Sequence, residues 1–314
     1  MDAIRSQTQE QCESISDVLP ITIQALLPSV LAAKGTITSV ERKTFKYGST
    51  DRHQLDVYYP PSGSAEPSPV LFWAYGGGFV HGDRILEPSQ GLVYATVGSF
   101  FARKGLVVVI PDYRLAPEAK FPAQSEDIRD AILWVIKNAA SLNTGNVTLD
   151  VDRIVASGHS AGAINVATLY LHPELLAGTD ILARTKALVL EAGTYAFEIP
   201  GLRSALPTDI MEQYYGTADT YETHVPLGLL KALPADKVKA LPPVLIVDAE
   251  KEPTFVVKSE DLFKQELERI DSGRKVDRIV AKGHNHISVN WVLGTGDGEE
   301  WAEEVIQWLR KVFA

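Results

Sequence analysis

The sequence predicts an α/β fold, a mostly parallel sheet with helices on both faces. Three observations predict it. From about residue 42, short apolar runs alternate with stretches whose apolar residues recur at helical spacing. Most of those runs are continuous and rich in Val, Ile and Leu, as buried parallel strands are. No internal repeat, low-complexity tract or long charge run interrupts the pattern. The 314 residues, 45% of them apolar, can bury a large core.

The elements follow in order. HQLDVYY alternates like a half-exposed strand. VLFWAY, GLVVVIPD, DRIVASG, KALVLEAG and PPVLIVD read as buried parallel strands, and DRIVAK as a further one. SEDIRDAILWVIKNAA carries Ile128, Ala131, Ile132, Val135 and Ile136 on one helical face. SAGAINVATLYL and VVKSEDLFKQELERI are the next helices. EEWAEEVIQWLRKVF closes the chain with Trp301, Val305, Ile306 and Leu309 aligned. Two segments stand outside the alternation: an amphipathic lead-in over 1–40 and a Pro-, Tyr- and Met-bearing insertion over 199–238. Both are apolar enough to pack on something. They are expected to form a small helical cap over a pocket of a single domain spanning 1–314; ordinary extra helices on the body are the alternative.

Composition removes several functions. Thirty basic residues against 40 acidic ones give a formal charge of -10, which repels nucleic-acid backbones and anionic lipid. A single cysteine, Cys12, allows no intramolecular disulfide and argues against a thiolate metal site, so no metal or cofactor is expected. It fits a reducing, cytoplasmic compartment. The opening MDAIRSQTQEQCESISD has no basic region ahead of an apolar stretch, so no secretory leader is expected. VLPITIQALLPSVLAA, interrupted by Pro20, Gln24 and Pro28, falls short of the roughly 18 apolar residues of a membrane span. The composition leaves a homo-oligomer open.

The chemistry concentrates in three places. RIVASGHSAGAI runs from a strand through Gly158-His159-Ser160-Ala161-Gly162 into a helix. Such a turn is so tight that positions two before and two after the serine need minimal side chains, and it leaves the hydroxyl exposed. LFWAYGGGFVHG sets three glycines after a buried strand, where a bare backbone can lie against a reacting carbonyl. Gly77 and Gly78 would supply two N–H donors to an oxyanion and Ala161 the third. AKGHNHISVNW offers His284 and His286 late in the chain, downstream of the acid-rich strand end DAEKEPTF. The order serine, acid, histidine results. Of the acids, Asp248 still belongs to the strand run and Glu250 sits at its end. Glu252 lies past it, before Pro253, where the loop turns toward the serine. Asp248 is the alternative. Phe79, Tyr195, Tyr214 and Tyr215 are the expected pocket lining, with His159, the variable residue of the elbow, counted among the substrate-facing groups.

AYGGGF, DYRLAPE, FPAQSEDI, GHSAGA and GHNHIS together resemble the hormone-sensitive-lipase-like carboxylesterases of the α/β-hydrolase fold, from about residue 44 to the end. The GHSAGA form is also similar to kynurenine formamidase-like hydrolases. The resemblance implies a serine carboxylesterase for small-molecule esters of short to medium acyl chain. It implies His286 as the base, since the family histidine lies three residues after a glycine. The place of Glu252 before Pro253 is that of the family's catalytic aspartate in AEHDP. The resemblance makes Asp112 and Arg114 structural. Tyr75 stands where the family usually has the histidine of HGGG, which bears on substrate scope more than on the reaction. An arylformamidase in the same site is the first rival reading, and a non-catalytic ligand receptor on the same fold the second.

Overall fold

Eight strands form one sheet: β1 (Arg42–Lys46), β2 (Gln54–Tyr58), β3 (Ser68–Ala74), β4 (Val107–Pro111), β5 (Leu149–His159), β6 (Thr185–Glu191), β7 (Val244–Lys251) and β8 (Asp277–Asn285). The computed structural model describes residues 1–63, 66–87, 89–202, 204 and 206–314, with the backbone alone at 218 and 219. The spatial order is β1-β2-β4-β3-β5-β6-β7-β8. β2 runs antiparallel to β1 and β4, and every later pair is parallel. This is the α/β-hydrolase fold. Because β3 and β5 to β8 are parallel, their carboxyl ends lie on one edge of the sheet, where the loops after them can converge.

The helices bury the faces that their spacing marks. Ala123–Leu142 turns Ile128, Ala131, Ile132 and Val135 inward, and Glu300–Phe313 buries Trp301, Val305, Ile306 and Leu309. The helix Ala161–Leu171, directly after the elbow, is buried on all sides. Among the described residues, the insertion from 199 carries four short helices and no strand: Thr208–Tyr215, Ala218–His224, Pro226–Ala232 and Ala235–Lys239.

Four features depart from the expectations. β1, RKTFK, has no apolar run to announce it; it is an exposed, lysine-bearing edge strand held by its ladder to β2. β2 is not half-exposed. Leu55 to Tyr58 are all buried because the strand lies between β1 and β4, and the enclosed Asp56 is met by Thr44 Oγ1 at 2.6 Å and Arg84 Nε at 3.2 Å. The helix Ala95–Arg103 was not foreseen. Finally, Pro20 and Pro28 do not break the N-terminal apolar stretch. Ile15–Ala32 is one 18-residue helix, by length and composition long and apolar enough to cross a membrane. Here it lays a stripe of Val18, Thr22, Leu26 and Val30 against the body and leaves Leu19 and Ile21 exposed.

Candidate active site

The elbow is built by two glycines. A Cβ on Gly158 would lie 2.6 Å from the Gly162 carbonyl, and one on Gly162 would collide with the backbone oxygens of Ala74 and Tyr75. Neither position accepts a larger side chain, because strand, helix and the neighbouring β3 touch there. Between them Ser160 sits at φ 54°, ψ -124°, a conformation that L residues avoid and that the packed surroundings impose. Its N–H donates to Glu191 O at 2.8 Å, which ties the turn to the end of β6.

Ser160 Oγ lies 3.1 Å from His286 Nε2. His286 Nδ1 in turn is 2.7 Å from Glu252 Oε2. Both partners are buried, Glu252 1% and His286 3% exposed, so their interaction is shielded from solvent. Glu252 Oε1 has one further contact, the Ala249 N–H at 3.4 Å. The other two acids of DAEKEPTF point elsewhere. Asp248 pairs with Arg278 Nε at 2.8 Å, and Glu250 accepts the Gly283 N–H at 2.8 Å at the surface.

His284 is not on a loop but inside β8, and it is a fixed neutral ring. Nε2–H donates to Gly298 O at 2.8 Å, Nδ1 faces Ser288 Oγ at 3.0 Å, and burial pulls its pKa down to about 4. His159 is likewise buried and held by the histidine loop. Its Nε2–H donates to His286 O at 2.8 Å, and burial, then the neighbouring His286, holds it well below the usual imidazole range. It braces the loop that carries His286.

The glycine loop abuts the serine. A Cβ on Gly76 would lie 2.9 Å from Ser160 Cβ, and Gly77 and Gly78 adopt φ 136° and 58°, open to glycine alone without strain. Among the described residues no protein acceptor takes the N–H of Gly77, Gly78 or Ala161. Tyr75 anchors the loop from below. Its hydroxyl donates to Asp112 Oδ1 at 2.7 Å and accepts from Arg52 Nη2 at 2.8 Å, while the ring stacks on Tyr113 at 4.8 Å. Asp112 also binds the Arg84 N–H at 2.7 Å and the Arg84 guanidinium. Arg114 holds Asp127 through Nε and Nη2.

Phe79, Tyr214 and Tyr215 belong to an apolar cluster of their own that includes Ala161 and Ile164, on the first turn of the helix after Ser160. Phe79 stacks on Tyr214 at 4.3 Å with Tyr215 edge-on at 5.6 Å. Tyr195 does not join them. It packs on Phe263 at 4.5 Å in the main core, and its N–H donates to Ser259 Oγ at 2.6 Å, which ties it to the helix Thr254–Ile270. Three groups were missed. Leu206 and Ile210 stand over Gly78, with Leu206 Cδ2 3.6 Å from where its Cβ would be. Glu191, the last residue of β6, is buried behind the elbow and accepts from Trp73 Nε1 and Ser157 Oγ, each at 3.1 Å. The acid closing the run KALVLE was its only sequence signal. Among the described residues no cluster of three His, Cys, Asp or Glu side chains is arranged to hold a metal ion.

An α/β-hydrolase with a serine elbow facing a histidine and a glutamate is thus the class that fold and site define. Residues 55–262 match the BD-FAE family, and the chain belongs to it. It is 30% identical over 184 residues to a probable carboxylesterase M8 of a Phoma species, covering 55% of this chain and 53% of that one. It is 27% identical over 263 residues to esterase LipC of Mycobacterium tuberculosis, covering 82% of this chain and 62% of the relative. The chain spans about half the length of the first of these relatives and under two thirds of the second. Among solved structures, fungal esterases from Rhizomucor miehei superpose with a TM-score of 0.67 at 21% identity, over 98% of this chain and 92% of theirs. An esterase from Pyrobaculum calidifontis superposes at 0.63 and 24% identity, over 98% and 91%.

Proposed function

We propose that this chain is a serine hydrolase that cleaves carboxylic esters through an acyl-enzyme. The observation that carries the reading is the continuous relay from Ser160 Oγ to His286 at 3.1 Å and from His286 to Glu252 at 2.7 Å. In this mechanism His286 Nε2 takes the Ser160 proton as Oγ attacks the ester carbonyl. Glu252 orients the imidazole and stabilises its protonated form. The tetrahedral oxyanion sits against the N–H groups of Gly77, Gly78 and Ala161, each such donor contributing roughly 3–4 kcal/mol to the transition state. His286 then protonates the departing alcohol, and water repeats the cycle on the acyl-serine. The relatives named carboxylesterase and esterase support the ester reading.

We assign the insertion, with the N-terminal segment, the role of cap, and Phe79, Tyr214 and Tyr215 the role of pocket lining. Such a lining suits short to medium acyl or aryl groups. The buried Cys12 suits work in a reducing compartment such as the cytoplasm. A second reading, amide cleavage in the same site, has one observation in its favour: a relative from Oryctolagus cuniculus, 30% identical over 181 residues, is named arylacetamide deacetylase. Comparing turnover of p-nitrophenyl butyrate with that of an aryl acetamide separates the two. Ser160→Ala should keep the fold and lose at least about a thousandfold in kcat, as loss of a triad nucleophile does. Retention of more than about a tenth of wild-type kcat, or failure of a fluorophosphonate to label Ser160, ends the proposal.

A further inference from the structure

The loops that carry Glu252 and His286 are joined by a third party. Residues 4–13 run across both. Gln9 Nε2 donates to the backbone oxygen of Glu252 at 2.6 Å and to Glu13 Oε1 at 3.0 Å. Glu13 accepts the Thr254 N–H at 2.9 Å and the Thr254 hydroxyl at 2.6 Å. It therefore caps the helix Thr254–Ile270, which has no side-chain cap of its own. Lys251 Nζ donates to Ile4 O at 2.7 Å and Arg5 O at 2.6 Å. On the histidine side, Gln7 Oε1 accepts from Asn285 Nδ2 at 2.7 Å, and Thr22 Oγ1 accepts from it at 2.9 Å. Asn285 Oδ1 closes the turn around His286 by accepting the N–H groups of Ile287 at 3.1 Å and Ser288 at 2.9 Å.

We infer that Gln9 and Gln7 are positioning residues, and that the segment 4–13 is a strap that fixes the Glu252 carboxylate against His286. The inference rests on the triad reading above and deepens it. Its physical need lies in Glu252 itself. A glutamate has one more torsion than an aspartate, and among the described residues the one hydrogen bond to its outer oxygen is the long one from the Ala249 N–H. The side chain is thus weakly held, so its reach to the imidazole depends on where the backbone at 252 stands. Gln9 holds that backbone by its carbonyl. Gln7 holds the opposite loop through the residue preceding His286. The strap sets the separation of the two loops from outside the pocket, without touching substrate.

The test uses the whole chain of 314 residues with Gln9→Ala, Gln7→Ala and a control, Gln11→Ala, whose side chain accepts the Thr8 N–H on the same strap and, among the described residues, bonds to neither loop. Hydrolysis of p-nitrophenyl butyrate is measured, with melting temperature alongside. Gln9→Ala and Gln7→Ala should each lower kcat about tenfold with KM within about twofold; this lies short of the roughly hundredfold that a 1 Å misplacement can cost. Gln11→Ala should match wild type. In a Glu252→Gln background, Gln9→Ala should cause no further loss, because the group it positions is already disabled. Additive losses in that background overturn the inference, as do wild-type kcat values for both Gln9→Ala and Gln7→Ala. A fall in kcat that tracks loss of folded protein also overturns it. A wild type without esterase activity and without fluorophosphonate labelling sinks the triad reading and this one together. An active, labelled wild type with unaffected strap variants sinks this one alone.

Discussion

The three acids of DAEKEPTF, all within five positions, have three different tasks, and substitution should separate them. Glu252→Gln keeps the shape but loses the charge that supports the imidazolium, so kcat should fall at least about a hundredfold. Asp248 lies in a buried pair with Arg278, beside a Glu260 carboxyl that burial pushes well above its ordinary range. Asp248→Asn should cost about 1–3 kcal/mol in a denaturant melt and leave kcat within about threefold. Glu250→Gln, at the surface, should change neither. If Asp248→Asn alone removes activity while the protein stays folded, the wrong carboxylate has been assigned. Glu191 makes a second residue-scale prediction. Burial raises its carboxyl from 4.5 to about 7. The folded value lies above the unfolded one, so stability falls as pH rises from about 4.5 to 7, and the penalty is complete above that. At about 1.4 kcal/mol per unit, the penalty is on the order of 3 kcal/mol. Glu191→Gln can still accept from Trp73 and Ser157 and no longer titrates. Its melting temperature relative to wild type should therefore be more favourable at pH 8 than at pH 5, and a difference independent of pH refutes this.

At the scale of elements, the glycine loop after β3 depends on a hydroxyl. Tyr75→Phe would leave Asp112 without one donor and Arg52 without one acceptor beneath Gly77 and Gly78. Such a loss costs about 1–2 kcal/mol, and kcat should fall several-fold as the loop loosens. Unchanged stability and kcat would show that the stacked ring suffices. The same loop shows what a sequence can reveal. Strands β3 to β8, the elbow, the glycine triplet and the late histidine were legible because backbone sterics restrict those positions to few residue types. Gly162, pressed against the carbonyls of β3, admits no alternative, and such constraint leaves a readable pattern. β1 was illegible because an edge strand needs a partner and not an apolar run. Tyr195 was misplaced because an aromatic residue near a strand end reads the same whether it faces the pocket or the core. The N-terminal helix was read as interrupted because its prolines count against it locally, while packing of Val18, Thr22, Leu26 and Val30 holds it. Leu206 and Ile210 gave no signal, since nothing in an insertion's own composition says which residues will stand over a glycine 128 residues before Leu206 in the chain.

Across the whole molecule, two titration trends oppose each other. His284, drawn by burial from 6.5 to about 4, contributes stability that is present above pH 6.5 and lost as pH falls toward 4. His159 is shifted in the same direction. Glu191 works against both, gaining as pH falls. Glu260, raised by burial in the same way, also gains as pH falls, so the histidine contribution is read from variants and not from the net curve. The contribution of His284 is isolated by His284→Gln, whose amide can still donate to Gly298 O and which should show a shallower acid loss than wild type. Parallel curves for variant and wild type would refute the assignment. The strand order carries a further consequence. The serine follows β5 in the middle of the sheet, whereas the histidine follows β8, which pairs only with β7. The relay is therefore strung between a central strand and an edge strand. Heat should part them early: activity measured during a slow ramp should reach its half-point several degrees below the midpoint of the helical circular-dichroism signal. Activity would then be lost while most of the chain is still folded, and cooling from that interval should restore it in full.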